Sequence, residues 1–209
     1  MTRVYIFCEG QTEESFVHEL LRPHFSNMSI WITPIVVRTG KDKSKGKGGI
    51  LSYGKVRNQI DRLCKQDQQA YVTTLMDYYA FPQGPNGLTP VQNEGSPIQK
   101  ALALTQAFQD DIEHRNFIAN LVVHEYEGLL FSQPDAFTQW FDESISCELQ
   151  RIRNSASSPE HINSGSETAP SKRILQLCNN YSKILHGTLI ALDIGLDVIR
   201  RECPIFMPG

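Results

Sequence analysis

The sequence predicts an α/β fold, in which a mainly parallel sheet of four strands is flanked by helices and followed by a helical C-terminal extension. Three observations lead to this prediction. Short apolar runs rich in β-branched residues occur within residues 1–132, amphipathic helical patterns alternate with them, and residues 133–209 contain helical patterns only. Alternating strands and helices imply a parallel sheet covered on both faces. We therefore expect an α/β core at residues 1–132, with the extension packed on it.

The N-terminal segment predicts a strand, a turn and a helix. Residues 4–7 form a short apolar run of the kind found in buried strands. Thr12 is a typical helix cap, and the apolar residues after it, beginning at Phe16, recur at helical spacing. Because proline interrupts helices, we expect this helix to end at Pro23.

Two further strands and a helix follow. Residues 30–37 are rich in Ile and Val, and Pro34 among them predicts an edge strand or a bulge. Ser52 begins a helix whose apolar residues share one face. Residues 71–76 form the third predicted strand, which ends directly on Asp77.

One more helix and one more strand complete the predicted core. Pro97 suits the first position of a helix, which we expect to run to about His114. Residues 117–123 form the fourth predicted strand and lead into the sequence HEYEG. In the extension, helical patterns cover four segments, residues 135–140, 144–153, 171–185 and 193–203.

The composition excludes several classes of protein. The chain has 209 residues, a net charge of -3, and five widely spaced cysteines. This cysteine spacing argues against a disulfide framework and against a zinc ribbon. No apolar run approaches the roughly 20 residues of a membrane span, and the N-terminus does not resemble a signal peptide. We expect a cytoplasmic protein with reduced thiols and no membrane association.

Charge is distributed unevenly along the chain. Residues 38–65 contain nine Lys/Arg and two acidic residues, whereas residues 107–148 contain nine acidic residues and one arginine. Such segments often form solvated faces. The alternative is a segment that binds a polyanion beside an acidic centre that holds a metal ion.

Carboxylates follow the ends of three predicted strands. Glu9 follows the first strand, Asp77 the third, and Glu125 with Glu127 the fourth. The carboxyl ends of parallel strands share one edge of the sheet, where like charges about 4 Å apart repel by several kcal/mol unless a cation separates them. Oxygen ligands favour a hard ion, so we expect Mg²⁺ or Mn²⁺. The alternative is that each acid caps the helix after it.

The positions of three acids leave two questions open. Glu125 and Glu127 point to one face if the strand continues, but they diverge if a helix starts at His124, and then only one of them is a ligand. Glu13 lies one turn into the first predicted helix. We expect it to support the ligand carboxylate from behind or to interact with the helix dipole.

Two groups of cations are candidates for phosphate contacts. Lys41, Lys43, Lys45 and Lys47 lie in a Gly-rich segment that differs from a P-loop in spacing and lacks its Ser or Thr. This difference excludes a P-loop ATPase, and flexible lysines suit contacts with a phosphate backbone. The alternative is a solvated loop.

The second group of cations opens a predicted helix near residue 171. We expect Lys172 to neutralise charge on a phosphate during transfer, and Arg173 to bind phosphate. The alternative is that both residues are ordinary surface charges.

Several motifs resemble a known family. The stretch CEGQTE, which contains Glu9, resembles the first motif of TOPRIM domains, the metal-binding fold of topoisomerases, primases and OLD-type nucleases. Asp77 matches the first acid of their second motif, but Tyr78 and Tyr79 follow it, so the second acid of that motif is missing. The wider set CEGQTE, SYGKVRNQI, TLMDYYAFP, HEYEGLLFS and ETAPSKRI is similar to a bacterial family of TOPRIM-like proteins. That family is known as a domain of unknown function and is often encoded beside an ATPase.

The resemblance covers nearly the whole chain and implies a TOPRIM-like, Rossmann-like core. The carboxylates at three strand ends, taken with this resemblance, lead us to expect a metal-dependent nuclease that acts on DNA or RNA. The family's gene neighbourhood implies that it is the effector partner of an ATPase in defence against phage. Two alternatives remain open. One is a TOPRIM-like binding or regulatory subunit without catalysis, which the missing second acid favours, and the other is phosphoryl chemistry on a small nucleotide.

Overall fold

A parallel sheet organises the first part of the chain. The computed structural model describes residues 1–37, 52–83, 87–89, 95–162 and 168–206. Three strands of seven residues form most of the sheet, β1 (Thr2–Cys8), β2 (Ile30–Val36) and β3 (Tyr71–Asp77). Two strands of two residues follow, β4 (Phe117–Ile118) and β5 (Leu121–Val122). The prediction of an α/β fold with a mainly parallel sheet flanked by helices is confirmed.

The strand order is β2-β1-β3-β4, with β5 also paired to β3. The β1–β2, β1–β3 and β3–β4 pairs are all parallel. Pro34 therefore lies on an edge strand, opposite Ile6, where the missing N–H of proline removes no central ladder bond.

The first helix continues past Pro23, so the prediction that it ends there is wrong. Helix α1 (Gln11–Phe16) leads into a π-helical turn at Val17–Leu21, and α2 (Arg22–Ser26) follows without a break. A proline ring inside a regular helix collides with the carbonyl four residues earlier. The π-helical turn changes the hydrogen-bond spacing ahead of Pro23 and lets the chain stay helical.

Two longer helices accompany β3. Helix α3 (Tyr53–Gln66) begins after Ser52, as predicted, and buries Val56 and Ile60. Helix α4 (Pro97–Asp111) begins at a capping box in which Ser96 and Gln99 bond each other's backbone N–H groups.

The predicted strand over residues 117–123 is interrupted, which corrects the prediction of one continuous fourth strand. Side chains replace the backbone ladder at the break between β4 and β5. The Thr74 hydroxyl donates to the Asn120 carbonyl at 2.5 Å, and the Asn120 side-chain amide donates to the Thr74 carbonyl at 3.1 Å. Gln109 accepts the N–H of Ala119 at 2.8 Å. Such local side-chain bonds compete with a regular ladder.

The chain forms two compact units, Met1–Leu121 and Val122–Gly209. This division lies earlier in the chain than the boundary after residue 132 that the sequence suggests. The first unit contains the sheet and helices α1 to α4.

The second unit is helical. Its described residues form 3-10 segments and four α-helices. The 3-10 segments are Tyr126–Ser132, Pro134–Gln139 and Pro159–His161. The α-helices are α5 (Glu143–Asn154), α6 (Pro170–Leu177), α7 (Leu185–Ile194) and α8 (Leu196–Glu202).

Two helices of the second unit are shorter than the sequence predicts. Residues 171–185 do not form one helix, because α6 ends at Leu177 and α7 begins only at Leu185. Residues 193–203 do not form one helix either. Gly195 has φ 79°, a conformation that favours glycine, and it separates α7 from α8. Among the helices that the structure describes, none has both the length and the hydropathy that crossing a membrane requires.

Candidate functional site

Glu9 and Asp77 lie at the same edge of the sheet. Strands β1 and β3 are neighbours and parallel, and Cys8, the last residue of β1, pairs with Leu75. Glu9 follows Cys8 directly, and Asp77 lies two residues after Leu75 as the last residue of β3. Both carboxylate side chains are partly buried. The strand register therefore places both acids at the carboxyl ends of neighbouring parallel strands, and their role as metal ligands stays a prediction.

Glu13 fixes the turn that follows Glu9. Its side chain is buried, and its Oε2 accepts the N–H of Gly10 at 2.9 Å as half of a capping box. This bond satisfies a backbone donor at the start of α1. Glu13 therefore holds the backbone immediately after Glu9, and its role in supporting a ligand carboxylate stays a prediction.

Two tyrosines follow Asp77 at the end of β3. Tyr78 is buried, whereas Tyr79 is 47% exposed. Tyr79 stands where a second carboxylate would be in the TOPRIM pattern. The described edge of the sheet therefore offers Glu9 and Asp77 as its carboxylate pair.

Glu125 caps a helix in its own unit. Its Oε2 accepts the N–H of Ser171, in the first turn of α6, at 3.1 Å. The first N–H groups of a helix lack partners within the helix and carry a partial positive charge, so a carboxylate is stabilised there. The helix that Glu125 caps is not the 3-10 segment that directly follows it but one that begins at Pro170.

Glu127 forms a buried ion pair in the same unit. Its side chain is 2% exposed, and its Oε1 lies 2.8 Å from Nζ of Lys183. Burial raises the pKa of the Glu127 carboxyl, and Lys183 acts in the opposite direction. Burial also raises the pKa of the Tyr181 phenol, and the negative charge of Glu127 acts in the same direction.

The two glutamates diverge because the strand does not continue to them. Glu125 is extended, but a 3-10 segment starts at Tyr126. Neither alternative that the sequence left open is observed as stated, because the strand stops before Glu125 and the helical segment starts at Tyr126 instead of His124. Each glutamate contacts a different partner.

His124 adopts an unusual backbone conformation beside these acids. It has φ 70°, in the left-handed region, and its side chain is buried. Burial lowers the pKa of His124, the nearby His161 acts in the same direction, and Glu125 acts against it. Non-glycine residues in this conformation are uncommon and are found at functional sites.

Of the cations predicted to bind phosphate, the structure describes Lys172 and Arg173. Lys172 is exposed on α6, and Arg173 donates from Nε to the Thr168 carbonyl at 2.8 Å. The roles expected for both in phosphate chemistry stay predictions. The other predicted phosphate contacts lie outside the described residues; they are Lys41, Lys43, Lys45 and Lys47.

The donor set at the sheet edge fits a hard divalent cation. Within the described ranges, no group of three or more His, Cys, Asp or Glu side chains is arranged to hold a metal ion. Mg²⁺ does not need such a cage, because it is commonly bound by one or two carboxylates and completes its shell with water and phosphate oxygens. Glu9 and Asp77 supply two carboxylates of this kind.

The sequence does not predict the partners that the structure gives to Glu125 and Glu127. Lys183, which pairs with Glu127, lies in the segment between α6 and α7. Ser171, whose N–H binds Glu125, contributes only its backbone. A lysine within a predicted helix gives no sequence signal for a distant partner, and a backbone donor gives none at all.

Comparison with solved structures finds a similarity to the C-terminal region of the Burkholderia pseudomallei OLD protein. The sequence identity is 15% and the TM-score is 0.43, over 97% of this chain and 95% of that chain. A likeness at this level supports no statement about the activity of this chain. No curated protein gives a significant match.

A family model covers nearly the whole chain. The model is described as a domain of unknown function, DUF4276, and it matches residues 8–208. This match confirms the resemblance to a domain of unknown function, while the relation to TOPRIM domains stays a prediction. The chain belongs to the DUF4276 family.

Proposed function

We propose that the chain is a metal-dependent phosphodiesterase that cleaves DNA or RNA, with Glu9 and Asp77 as the residues that hold Mg²⁺ or Mn²⁺. The observation that carries the proposal is the parallel register of β1 and β3, which places Glu9 and Asp77 at the same edge of the sheet. Active groups of open α/β sheets commonly lie beyond the carboxyl ends of the strands.

The proposal assigns different tasks to the residues around this edge. When bound, a divalent cation supplies charge stabilisation at the phosphate and a water molecule of lowered pKa. Glu9 and Asp77 hold this cation, and Glu13 keeps the turn after Glu9 in place through its bond to Gly10.

We do not assign Glu125 and Glu127 as metal ligands, although the sequence makes both of them candidates. Both have contacts within their own unit, Glu125 with Ser171 and Glu127 with Lys183. We assign them to the construction of the second unit and leave the metal to the other two acids. In line with the TOPRIM-like resemblance, an ATPase partner gates the cleavage, and the biological role is defence against foreign nucleic acid.

A second candidate function is that of a binding or regulatory subunit without catalysis. It is favoured by Tyr78 and Tyr79, because neither residue after Asp77 supplies a second carboxylate. A subunit of this kind binds nucleic acid or an ATPase and leaves the substrate intact. The two candidates differ in their need for a metal ion.

Cleavage of labelled substrates tests the proposal. Purified chain is incubated with single-stranded DNA, duplex DNA and RNA, in Mg²⁺ or Mn²⁺ and in EDTA. We expect cleavage that requires the metal and that Glu9→Gln and Asp77→Asn abolish. Matched controls are Glu113→Gln and Asp110→Asn, two exposed acids near the end of α4, which we expect to cleave at the wild-type rate.

Calorimetric titration with Mn²⁺ separates the two candidates. The phosphodiesterase requires metal binding that weakens by more than about tenfold in Glu9→Gln, since even residues behind metal ligands contribute on this scale. If Mn²⁺ does not bind, and no substrate is cleaved alone or with an ATPase partner, the regulatory subunit is the better account.

A further inference from the structure

A groove lies between the sheet and helix α3 in the first unit. Its volume is about 540 Å³, and the sheet contributes Phe7 of β1 and Ile35 of β2 to its lining. Helix α3 contributes the rest of the described lining. This size is within the range of about 300–1,000 Å³ that is typical of ligand sites.

One face of α3 supplies cationic and amide side chains to the groove. The residues are spaced at three, four or seven positions, which places them in one stripe. The cations are Lys55 and Arg62, and the amides are Asn58, Gln59 and Gln66. None of the described residues that line the groove is acidic. Arg62 forms no ion pair with any described residue.

On the neighbouring face of α3, the cations pair with carboxylates. Arg57 donates from Nε to Asp111 at 2.7 Å, and Lys65 lies 2.8 Å from Asp61. His114 contacts the same Asp61 at 2.8 Å. The cations of this face are paired with carboxylates, whereas the described residues that line the groove include no acid. The contrast is within one helix of a chain whose net charge is negative.

The chemistry of the groove suits a single strand of nucleic acid. Lys55 and Arg62 are about 10 Å apart along the helix axis, and cations in a row follow a phosphate backbone. Asn and Gln side chains donate to and accept from base edges, which single strands expose. Ile35 and Leu63, which are only partly buried, offer apolar surface for base faces. In a duplex the Watson–Crick edges are already paired, so its bases offer fewer contacts to these amides.

The position of the groove connects it with the carboxylate pair. Phe7, on its floor, precedes Glu9 by two residues, so the groove adjoins the carboxyl end of β1. We propose that the groove between α3 and strands β1 and β2 binds single-stranded DNA or RNA and leads it toward Glu9 and Asp77. The role of the groove in cleavage rests on the proposed function. Its contacts with the strand come from residues other than Glu9 and Asp77.

Fluorescence anisotropy of labelled oligonucleotides in EDTA tests the inference without the metal. The probes are a 20-nucleotide DNA strand, the same strand as RNA, and the matching duplex. We expect Lys55→Ala with Arg62→Ala to weaken binding of either strand by at least about tenfold. We also expect the slope of log affinity against log salt to fall by about 1.4, because each lost contact to a single strand contributes about 0.7.

The matched control is Arg57→Ala with Lys65→Ala, which removes the same charge from the same helix outside the groove. We expect this control to bind within about threefold of the wild type, because its cations are already paired. Thermal unfolding of both double variants shows that each is folded. Equal loss in the two variants, unchanged binding in the groove variant, or tighter binding of the duplex than of the single strand overturns the inference.

Further variants distinguish this inference from the proposed function. Glu9→Gln and Asp77→Asn are expected to bind the strands with wild-type affinity in EDTA. Loss of strand binding in the groove variant, with no cleavage by the wild type, supports the groove and contradicts the phosphodiesterase. Metal-dependent cleavage with unchanged strand binding in the groove variant contradicts only the groove.

Discussion

Lys183 Nζ lies 2.8 Å from Oε1 of Glu127, and the two side chains differ greatly in exposure, at 44% and 2%. The lysine therefore reaches from the surface to a carboxylate that water hardly contacts. A buried charge without a partner is costly. This pair makes the 3-10 segment that begins at Tyr126 dependent on the segment between α6 and α7.

Removal of the lysine should destabilise the protein in a pH-dependent way. We expect Lys183→Met to lower the free energy of unfolding by about 1–3 kcal/mol at pH 8. The pKa of Glu127 is already raised by burial, and it rises further without Lys183. The folded state then binds more protons than the unfolded state above the ordinary pKa of a glutamate, so stability falls as the pH rises. The loss should be smaller at pH 5.

Urea unfolding at the two pH values measures this effect. Lys172→Met is the matched control, because Lys172 is an exposed lysine of the same unit, and we expect it to unfold like the wild type. Glu127→Gln in the Lys183→Met background should recover part of the loss. An equal loss at both pH values would show that the buried carboxylate is not its cause.

Glu160 holds the C-terminal segment of the second unit through both carboxylate oxygens. Oε1 accepts the N–H of Phe206 at 2.7 Å, and Oε2 accepts the N–H of Ile205 at 3.1 Å. Glu160→Gln replaces one acceptor by a donor, so we expect a loss of about 1–3 kcal/mol. Faster hydrogen exchange at residues 205 and 206 should accompany it. The exposed Glu143→Gln serves as the control, and unchanged exchange in Glu160→Gln would contradict the assignment.

His124 should make the protein sensitive to acid. Burial lowers the pKa of His124 below the ordinary value of 6.5. As the pH falls through 6.5, the unfolded state therefore binds more protons than the folded state. Stability is therefore lost between pH 7.5 and 5.5. We expect His124→Asn to lose less stability over this range, since Asn tolerates the left-handed backbone and does not titrate. His18→Asn, at an exposed histidine, should behave like the wild type, and equal losses in all three proteins would contradict the prediction.

The sequence predicts the sheet well because the signals of its strands are local. The apolar runs before Glu9 and Asp77 and the edge position of Pro34 follow from residue type and order alone. The π-helical turn before Pro23 does not, because its hydrophobic spacing looks like that of an ordinary helix over a few residues. The break in the fourth strand depends on Thr74, whose bonds to Asn120 join distant parts of the chain.

In the candidate site, too, some relations between residues can be predicted from the sequence and others cannot. Strand order places Glu9 and Asp77 at one edge, and that relation can be read from the α/β alternation. The partners of Glu125 and Glu127 cannot, since a backbone N–H of α6 and a lysine beyond it approach them only in the folded unit. The α3 groove also escapes the sequence, because it depends on which helix face meets the sheet.

Anomalous scattering from Mn²⁺-soaked crystals tests the central claim most directly, because it locates the ion without requiring a substrate. We expect a Mn²⁺ peak within about 2.2 Å of carboxylate oxygens of both Glu9 and Asp77, and no peak at this edge in crystals of Asp77→Asn. A fully soaked wild-type crystal with no Mn²⁺ between these two carboxylates would contradict the claim.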